Sequence, residues 1–241
     1  MLVNNSSVLL LLKVVVISGE LLLRSKGMGE LMSFSYMITK QIIDFLLALL
    51  GMFLLWPFFL IIALIIKLTS KGPVLFKQRR IGKGKKEFYI LKFRTMRIDT
   101  PSNMPTHLLQ DPNLYITKVG RFLRRTSLDE LPQIINILKG EMSIVGPRPA
   151  LWNQYDLILE RDKYKANDIK PGLTGWAQIN GRDELPVEAK AKLDGDYIKN
   201  ISFTMDSKVF LLTIFSVLKS EGIREGATEQ GKSSGTEGAI L

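Results

Sequence analysis

The sequence predicts an α+β fold, mainly helical, in which an apolar membrane element precedes a small folded domain. Three observations carry this reading. Ile42 to Ile66 runs IIDFLLALLGMFLLWPFFLIIALII with Asp44 as its one charge, about the length that crosses a hydrocarbon core. Between Lys67 and Arg97, eleven Lys and Arg face Glu87 alone, so this stretch equals the whole net charge of +10. Beyond it, two short strand-like runs give way to helical spacings separated by Gly and Pro.

The chain of 241 residues has no Cys and one His, His107. That excludes zinc fingers, iron–sulfur centres, disulfide frameworks and Cys nucleophiles. Any metal is expected to be a hard, oxygen-liganded ion. The basic block follows an apolar segment directly, which favours anionic lipid headgroups or a phosphorylated substrate over nucleic acid, at about 1 kcal/mol per basic side chain near a membrane surface.

Taken in order, residues 1–36 are an unassigned leader, apolar from Val8 to Leu23 but interrupted by Lys13 and Ser18-Gly19-Glu20. Residues 37–67 hold the membrane helix. Trp56-Pro57 interrupts it near the middle, because proline removes a hydrogen bond and clashes with the preceding turn. A kinked span and a V that returns to its side of entry both fit this composition. Residues 68–220 form the folded domain. Pro73–Arg80 and Glu87–Thr95, separated by Gly82-Lys83-Gly84-Lys85, read as a hairpin. In its second strand Lys92 and Arg94 share a face, placing two cations side by side. Leu128–Lys139 has Leu131, Ile134, Ile135 and Leu138 at helical spacing. A loop on Gly140 and Gly146-Pro147-Arg148-Pro149 follows, then a helix over Trp152–Tyr164 and a Gly-rich extended segment over Lys170–Arg182. Glu184–Lys199 and Ser207–Lys219 read as two more helices, the last apolar around most of its circumference and suited to core or bilayer interface. Residues 221–241, rich in Gly, Ser, Thr and Glu, read as a disordered tail.

The chemistry concentrates in RRTSLDELPQ, Arg124–Gln133. One reading of Ser127-Leu128-Asp129-Glu130 is a capping box. Pro132 favours another, in which the helix starts nearer Leu131 and the two carboxylates stand just outside it. In both, Asp129 and Glu130 lie at a helix N-terminus, where Asp129 is expected to stay ionised and a phosphate can bind. Adjacent carboxylates beside Arg124 and Arg125 suit Mg²⁺ held against a diphosphate while one carboxylate attacks phosphorus. Arg148, between two prolines, presents a guanidinium from a stiff backbone, as a phosphate clamp would.

Together these segments carry a resemblance. The proline-interrupted apolar helix, Lys92-Phe93-Arg94-Thr95-Met96, SLDELPQIINILKGEMSIVGPRP, and PGLTGWAQINGR from Pro171 to Arg182 resemble the bacterial sugar transferase family, in its small monotopic form, the PglC-like polyprenyl-phosphate phosphoglycosyl transferases. The resemblance covers roughly Lys40 to Lys219. It implies transfer of a sugar 1-phosphate from a UDP-sugar to undecaprenyl phosphate, with release of UMP and a covalent aspartyl-phosphosugar on Asp129. It implies that Glu130 assists with Mg²⁺ or with the incoming phosphate, both carboxylates serving as metal ligands, and that Lys92, Arg94, Arg124, Arg148, Lys170 and Arg182 bind substrate. It also implies a monotopic protein with a re-entrant helix bent at Trp56-Pro57, interfacial amphipathic helices, and a catalytic domain on the cytoplasmic face of the bacterial inner membrane. The partners implied are a UDP-sugar, undecaprenyl phosphate and anionic membrane lipids, with nucleic acid excluded and a homo-oligomer allowed. Two positions depart from the family pattern: Trp56 stands where serine is usual before the proline, and Lys170 where arginine is common. The competing readings are a membrane-surface glycosyltransferase, a nucleotide-sugar diphosphate hydrolase, and a non-catalytic binder of acidic lipid or nucleic acid.

Overall fold

A computed structural model of the protein describes residues 28–100, 114–181 and 185–219. It opens with one long helix, α1 (Met28–Thr69), of 42 residues. Its stretch Ser35–Thr69 has a mean hydropathy of 2.8 and is long and apolar enough to cross a membrane. Trp56 and Pro57 lie inside this helix rather than between two separate ones. Along one face, Ala48, Met52, Leu55, Phe59, Ile62 and Ile66 recur every three or four residues and pack on the folded domain. The other faces expose Phe45, Leu49, Phe53, Leu60, Ile61 and Leu64. The helix is apolar all round, so periodicity alone gave no hint of which face would dock.

Two of its charges, Lys40 and Asp44, lie on the docked face and are buried, whereas Lys67 in its last turn is exposed. Lys40 donates to Asp206, and Asp44 accepts from the Ser143 hydroxyl. Asp206 also accepts from the hydroxyls of Tyr36 at 2.7 Å and Tyr197 at 2.6 Å. Charges that would be expensive in hydrocarbon are thus paired and hydrogen-bonded.

The expected hairpin is present as β1 (Leu75–Ile81) and β2 (Glu87–Phe93), antiparallel with Leu75 opposite Phe93 and Ile81 opposite Glu87. A 3-10 turn, Lys83–Lys85, joins them. Next comes α2 (Lys118–Arg125), whose N-cap Thr117 accepts from the Gly120 amide at 2.9 Å. This helix escaped the sequence reading because it is only eight residues long and holds a glycine, although Val119, Phe122 and Leu123 recur at helical spacing. Gly120 is required there, since a Cβ would run into the Thr95 carbonyl.

The expected single helix over Leu128–Lys139 is instead a 3-10 turn, Leu128–Glu130, followed by α3 (Gln133–Leu138) with Pro132 at its N-cap. From α3, Asn136 is fully buried; its Oδ1 accepts from Leu91 N–H at 3.0 Å and its Nδ2 donates to the Tyr89 carbonyl at 2.8 Å. One amide thus satisfies backbone groups of β2 that a further strand would otherwise have paired.

After α3 comes β3 (Ser143–Val145), which pairs in parallel with β4 (Gly172–Thr174). Within the segment expected to be extended over Lys170–Arg182, β4 is three residues long, and α5 (Trp176–Ile179) follows. Gly172 lies so close to the Gly146 backbone that a Cβ has no room. Between the strands, α4 (Tyr155–Asp162) is shorter than expected at both ends. Two further helices, α6 (Val187–Lys199) and α7 (Phe203–Lys219), end the described chain. The latter exposes Phe203, Phe210, Leu211, Ile214 and Phe215 while Val209 is buried. His107, Arg182 and residues 221–241 lie outside the described residues.

Replacing Asn136 by Leu should lower stability by about 2–4 kcal/mol, since it leaves the Leu91 N–H and the Tyr89 carbonyl without partners. Thermal unfolding of the detergent-solubilised variant against the parent checks this.

Candidate active site

Three pieces of chain meet at the acidic pair. Lys92 comes from the end of β2, Asp129 and Glu130 from the 3-10 turn, and Arg148 from the loop after β3. The turn owes its shape to Ser127, which adopts a left-handed conformation (φ 56°) and makes no side-chain cap. The capping-box alternative is therefore not formed. Pro132 begins the following helix, and the two carboxylates stand before it, as Pro132 suggested.

Glu130 Oε1 accepts from Lys92 Nζ at 2.6 Å and from Arg148 Nη2 at 3.0 Å. Burial would raise the Glu130 pKa, but the charges and hydrogen bonds of Lys92 and Arg148 override this and hold it far below the usual carboxylate range. Asp129, 7% exposed, behaves oppositely. Burial pushes it up to about 6, against the pull of Lys92; the Glu130 charge adds to the rise, while Arg124 and Arg148 oppose it. The helix-terminus expectation that Asp129 stays ionised thus holds only above this raised value, because desolvation outweighs any gain from a three-residue turn. Three cations face two carboxylates, so the site retains a net positive charge suited to a polyanion.

The other expected substrate residues are placed apart from this pair. Arg94 Nη2 donates to the Ser70 carbonyl at 2.9 Å and its hydroxyl at 2.7 Å, so it binds the chain just beyond α1 rather than joining Lys92. Its Nε and Nη1 are buried without a partner. Lys170 lines a small cleft with Lys40, Gln41, Asp44, Lys83 and Ser143, beside the N-terminal half of α1. There burial, with the Lys83 charge, lowers its pKa. Arg182 falls outside the described residues.

Gln133, four residues after Asp129 and 1% exposed, leaves Nε2 unpaired. The sequence reading passed over it. Its signal was a polar residue sharing the inward face of α3 with Asn136, three positions on.

No cluster of three or more acidic or histidine side chains occurs among the described residues. A divalent cation at this site would meet Asp129 and Glu130, with ligand and water oxygens completing its coordination. That all-oxygen, one- or two-carboxylate set fits Mg²⁺ beside a diphosphate.

A family model described as "Bacterial sugar transferase" matches residues 35–220. The chain is 43% identical over 190 residues to the UDP-glucose:undecaprenyl-phosphate glucose-1-phosphate transferase of Xanthomonas campestris pv. campestris, covering 76% of this chain and 39% of that protein. It is 42% identical over 189 residues to the "Uncharacterized sugar transferase EpsL" of Bacillus subtilis, covering 78% of this chain and 92% of that protein. It is 37% identical to the UDP-N-acetylgalactosamine-undecaprenyl-phosphate N-acetylgalactosaminephosphotransferase of Aeromonas hydrophila, covering 78% of this chain and 46% of that protein. The chain thus spans less than half the length of the two relatives whose names specify a reaction.

Because Asp129 titrates higher when folded than its unfolded value of about 3.9, its ionised form opposes folding. The opposition is absent below about pH 4, grows up to about pH 6 and is constant above. Asp129→Asn should therefore be more stable than the parent at pH 7.5, by up to about 3 kcal/mol, and should lose that advantage by pH 4. Melting temperatures across this range test the sign.

Proposed function

The chain belongs to the bacterial sugar transferase family, and from that premise we propose that it transfers a sugar 1-phosphate from a UDP-sugar to undecaprenyl phosphate through a covalent intermediate on Asp129. The observation that carries this reading is the division of labour between adjacent carboxylates. Glu130 is neutralised by Lys92 and Arg148, whereas Asp129 is buried beside the same cations with a raised pKa. A carboxylate ionised at neutral pH but poorly solvated is a good nucleophile.

In the first step an Asp129 oxygen attacks the sugar-proximal phosphorus. The bond from that phosphorus to the bridging oxygen breaks, and UMP leaves with the electron pair. In the second step an oxygen of undecaprenyl phosphate attacks the same phosphorus, the bond to Asp129 breaks, and a polyprenyl diphosphate sugar forms with the carboxylate regenerated. Lys92, Arg124 and Arg148 hold the equatorial oxygens, on which negative charge accumulates. Mg²⁺ held by Asp129 and Glu130 would neutralise diphosphate charge and favour departure of UMP. Passing through Asp129 means that the UDP-sugar and undecaprenyl phosphate need not occupy the site together.

What α1 touches supports a one-sided membrane placement. Lys40 is bonded to Asp206, and Ser70, just beyond the far end of the helix, to Arg94. Between them Ala48, Met52, Phe59 and Ile62 pack on the same folded domain. A straight span would hold Lys40 and Ser70 on opposite sides of the hydrocarbon, away from a shared domain. These contacts support a helix with both ends on one side, entering one leaflet near Trp56-Pro57. The basic block supports placing that side at the cytoplasmic face of the bacterial inner membrane.

With undecaprenyl phosphate, Mg²⁺ and UDP-glucose or UDP-N-acetylgalactosamine, the protein should release UMP and form a lipid diphosphate sugar, and EDTA should stop both. Asp129→Asn should abolish turnover, and kcat/KM of the parent should fall as pH drops below about 6, where Asp129 becomes protonated. Release of UDP would identify a glycosyltransferase instead, and loss of the nucleotide sugar without a lipid product a hydrolase.

Topology has its own test. Cysteines introduced at the exposed positions Thr39 and Lys71 should both react only with reagents that reach the cytoplasm. Labelling of either from the outer side would overturn the one-sided placement.

A further inference from the structure

We propose that Arg161, clamped by Asp194, is a positioning residue that aims Arg148 at Glu130. Neither residue touches the acidic pair, and the proposal rests on the transferase reading above. The segment Pro147–Leu151 contains two prolines and therefore few N–H groups of its own. Its carbonyls are held by donors from elsewhere in the fold. Pro147 O accepts from the Gly172 amide at 2.9 Å, and Ala150 O from the Ile81 amide at 2.9 Å. Pro149 O accepts from Arg80 Nη1 at 3.0 Å, and Arg148 O from Arg161 Nη1 at 2.9 Å. Arg161 thus grips the residue whose side chain binds Glu130 at 3.0 Å.

The rest of the Arg161 guanidinium is committed to Asp194 Oδ2, from Nε at 2.8 Å and Nη2 at 2.6 Å. Both side chains are almost wholly buried, at 4% and 1% exposure, between α4 and α6. The neighbouring contact of Leu157, Ile158 and Ala191 is apolar, and hydrophobic residues of similar volume would pack there at no greater cost than a buried ion pair. Apolar side chains cannot donate in a set direction to the Arg148 carbonyl. The planar guanidinium does both tasks at once, one edge for Asp194 and the remaining nitrogen for the loop. A bonded path therefore runs from Asp194 through Arg161 and Arg148 to Glu130, and small displacements of a charge-stabilising group are felt strongly in turnover.

Arg161→Lys retains a cation for Asp194, but a single point donor cannot also hold the Arg148 carbonyl in this geometry. It should lower kcat/KM for the UDP-sugar about tenfold, as loss of one charge-assisted hydrogen bond does. Arg148→Ala should lower it about a hundredfold. Introduced into Arg148→Ala, Arg161→Lys should change activity less than about twofold, because the side chain through which it acts is gone. A further tenfold fall in the double variant would overturn the proposal and leave Arg161 as a general element of the fold. Amide hydrogen exchange over residues 146–154 of the full-length protein in nanodiscs reads the loop without turnover. Arg161→Lys and Asp194→Asn should each speed exchange there and leave β2 and α2 unchanged; unaltered exchange in the loop overturns the proposal, and Asp194→Asn supplies this readout even if Arg161→Lys does not fold. If the parent releases no UMP from either UDP-sugar, the transferase reading fails, while the exchange result still decides the role of Arg161.

Discussion

Glu130 joins three segments that lie far apart in the chain. Its Oε1 takes Lys92 from the end of β2 and Arg148 from the loop after β3, and the peptide it sits on carries Asp129. Without this carboxylate the two cations would repel each other across a largely desolvated gap, and the strand, the turn and the loop would have no shared anchor. The arrangement also sets the electrostatics of its neighbour. Because Glu130 remains ionised, its charge reinforces burial in raising the pKa of Asp129, while the same two cations restrain the rise. One ion-pair cluster thus both assembles the site and separates the properties of two adjacent acidic residues.

A second cluster performs the same joining task for the long apolar helix α1. Lys40, Asp44, Asp206, Ser143, Tyr36 and Tyr197 tie the N-terminal half of α1 to β3, α6 and α7. Arg94 ties the chain beyond α1 to the end of β2. Between these polar clasps the contact is apolar, with Phe59 against Phe93 at 5.4 Å between ring centroids. The helix is therefore part of the folded domain along its length, while its outward side remains suited to lipid. β2 links the two ends of this arrangement: its Lys92 reaches the acidic pair, and Arg94, just past its end, reaches the end of α1. The docking of the helix and the geometry of the site are consequently joined through one short strand.

Much of this was legible beforehand, and the reasons differ from element to element. The apolar length of α1, the alternation and turn residues of the hairpin, and the proline that keeps Asp129 and Glu130 outside α3 are local properties written in consecutive residues. The motifs around SLDELPQ, GPRP and PGLTG also carried the family, because long ordered strings of chemically particular residues rarely arise otherwise. Misreadings fell where local signals were weak or ambiguous. The segment KVGRFLRR carries only one short apolar stripe, Val119, Phe122 and Leu123, around a glycine, yet it forms α2, with Leu123 buried and Gly120 lying on the Thr95 carbonyl. Lys92 and Arg94 share a strand face by spacing, yet they separate because Ser70 and Glu130 offer different acceptors.

By itself, then, the sequence determined that a lipid-compatible helix precedes a basic domain built around adjacent carboxylates and stiff arginine-bearing turns, because hydrophobic length, charge and proline act over a few residues. Only the tertiary structure decided which carboxylate is neutralised and which is left with a raised pKa, which face of α1 is docked, and which arginines reach the acidic pair. Those outcomes depend on desolvation and on partners as distant in sequence as Lys40 and Asp206. Burial and Coulomb energies are properties of where side chains end up, and no local pattern of residues contains them.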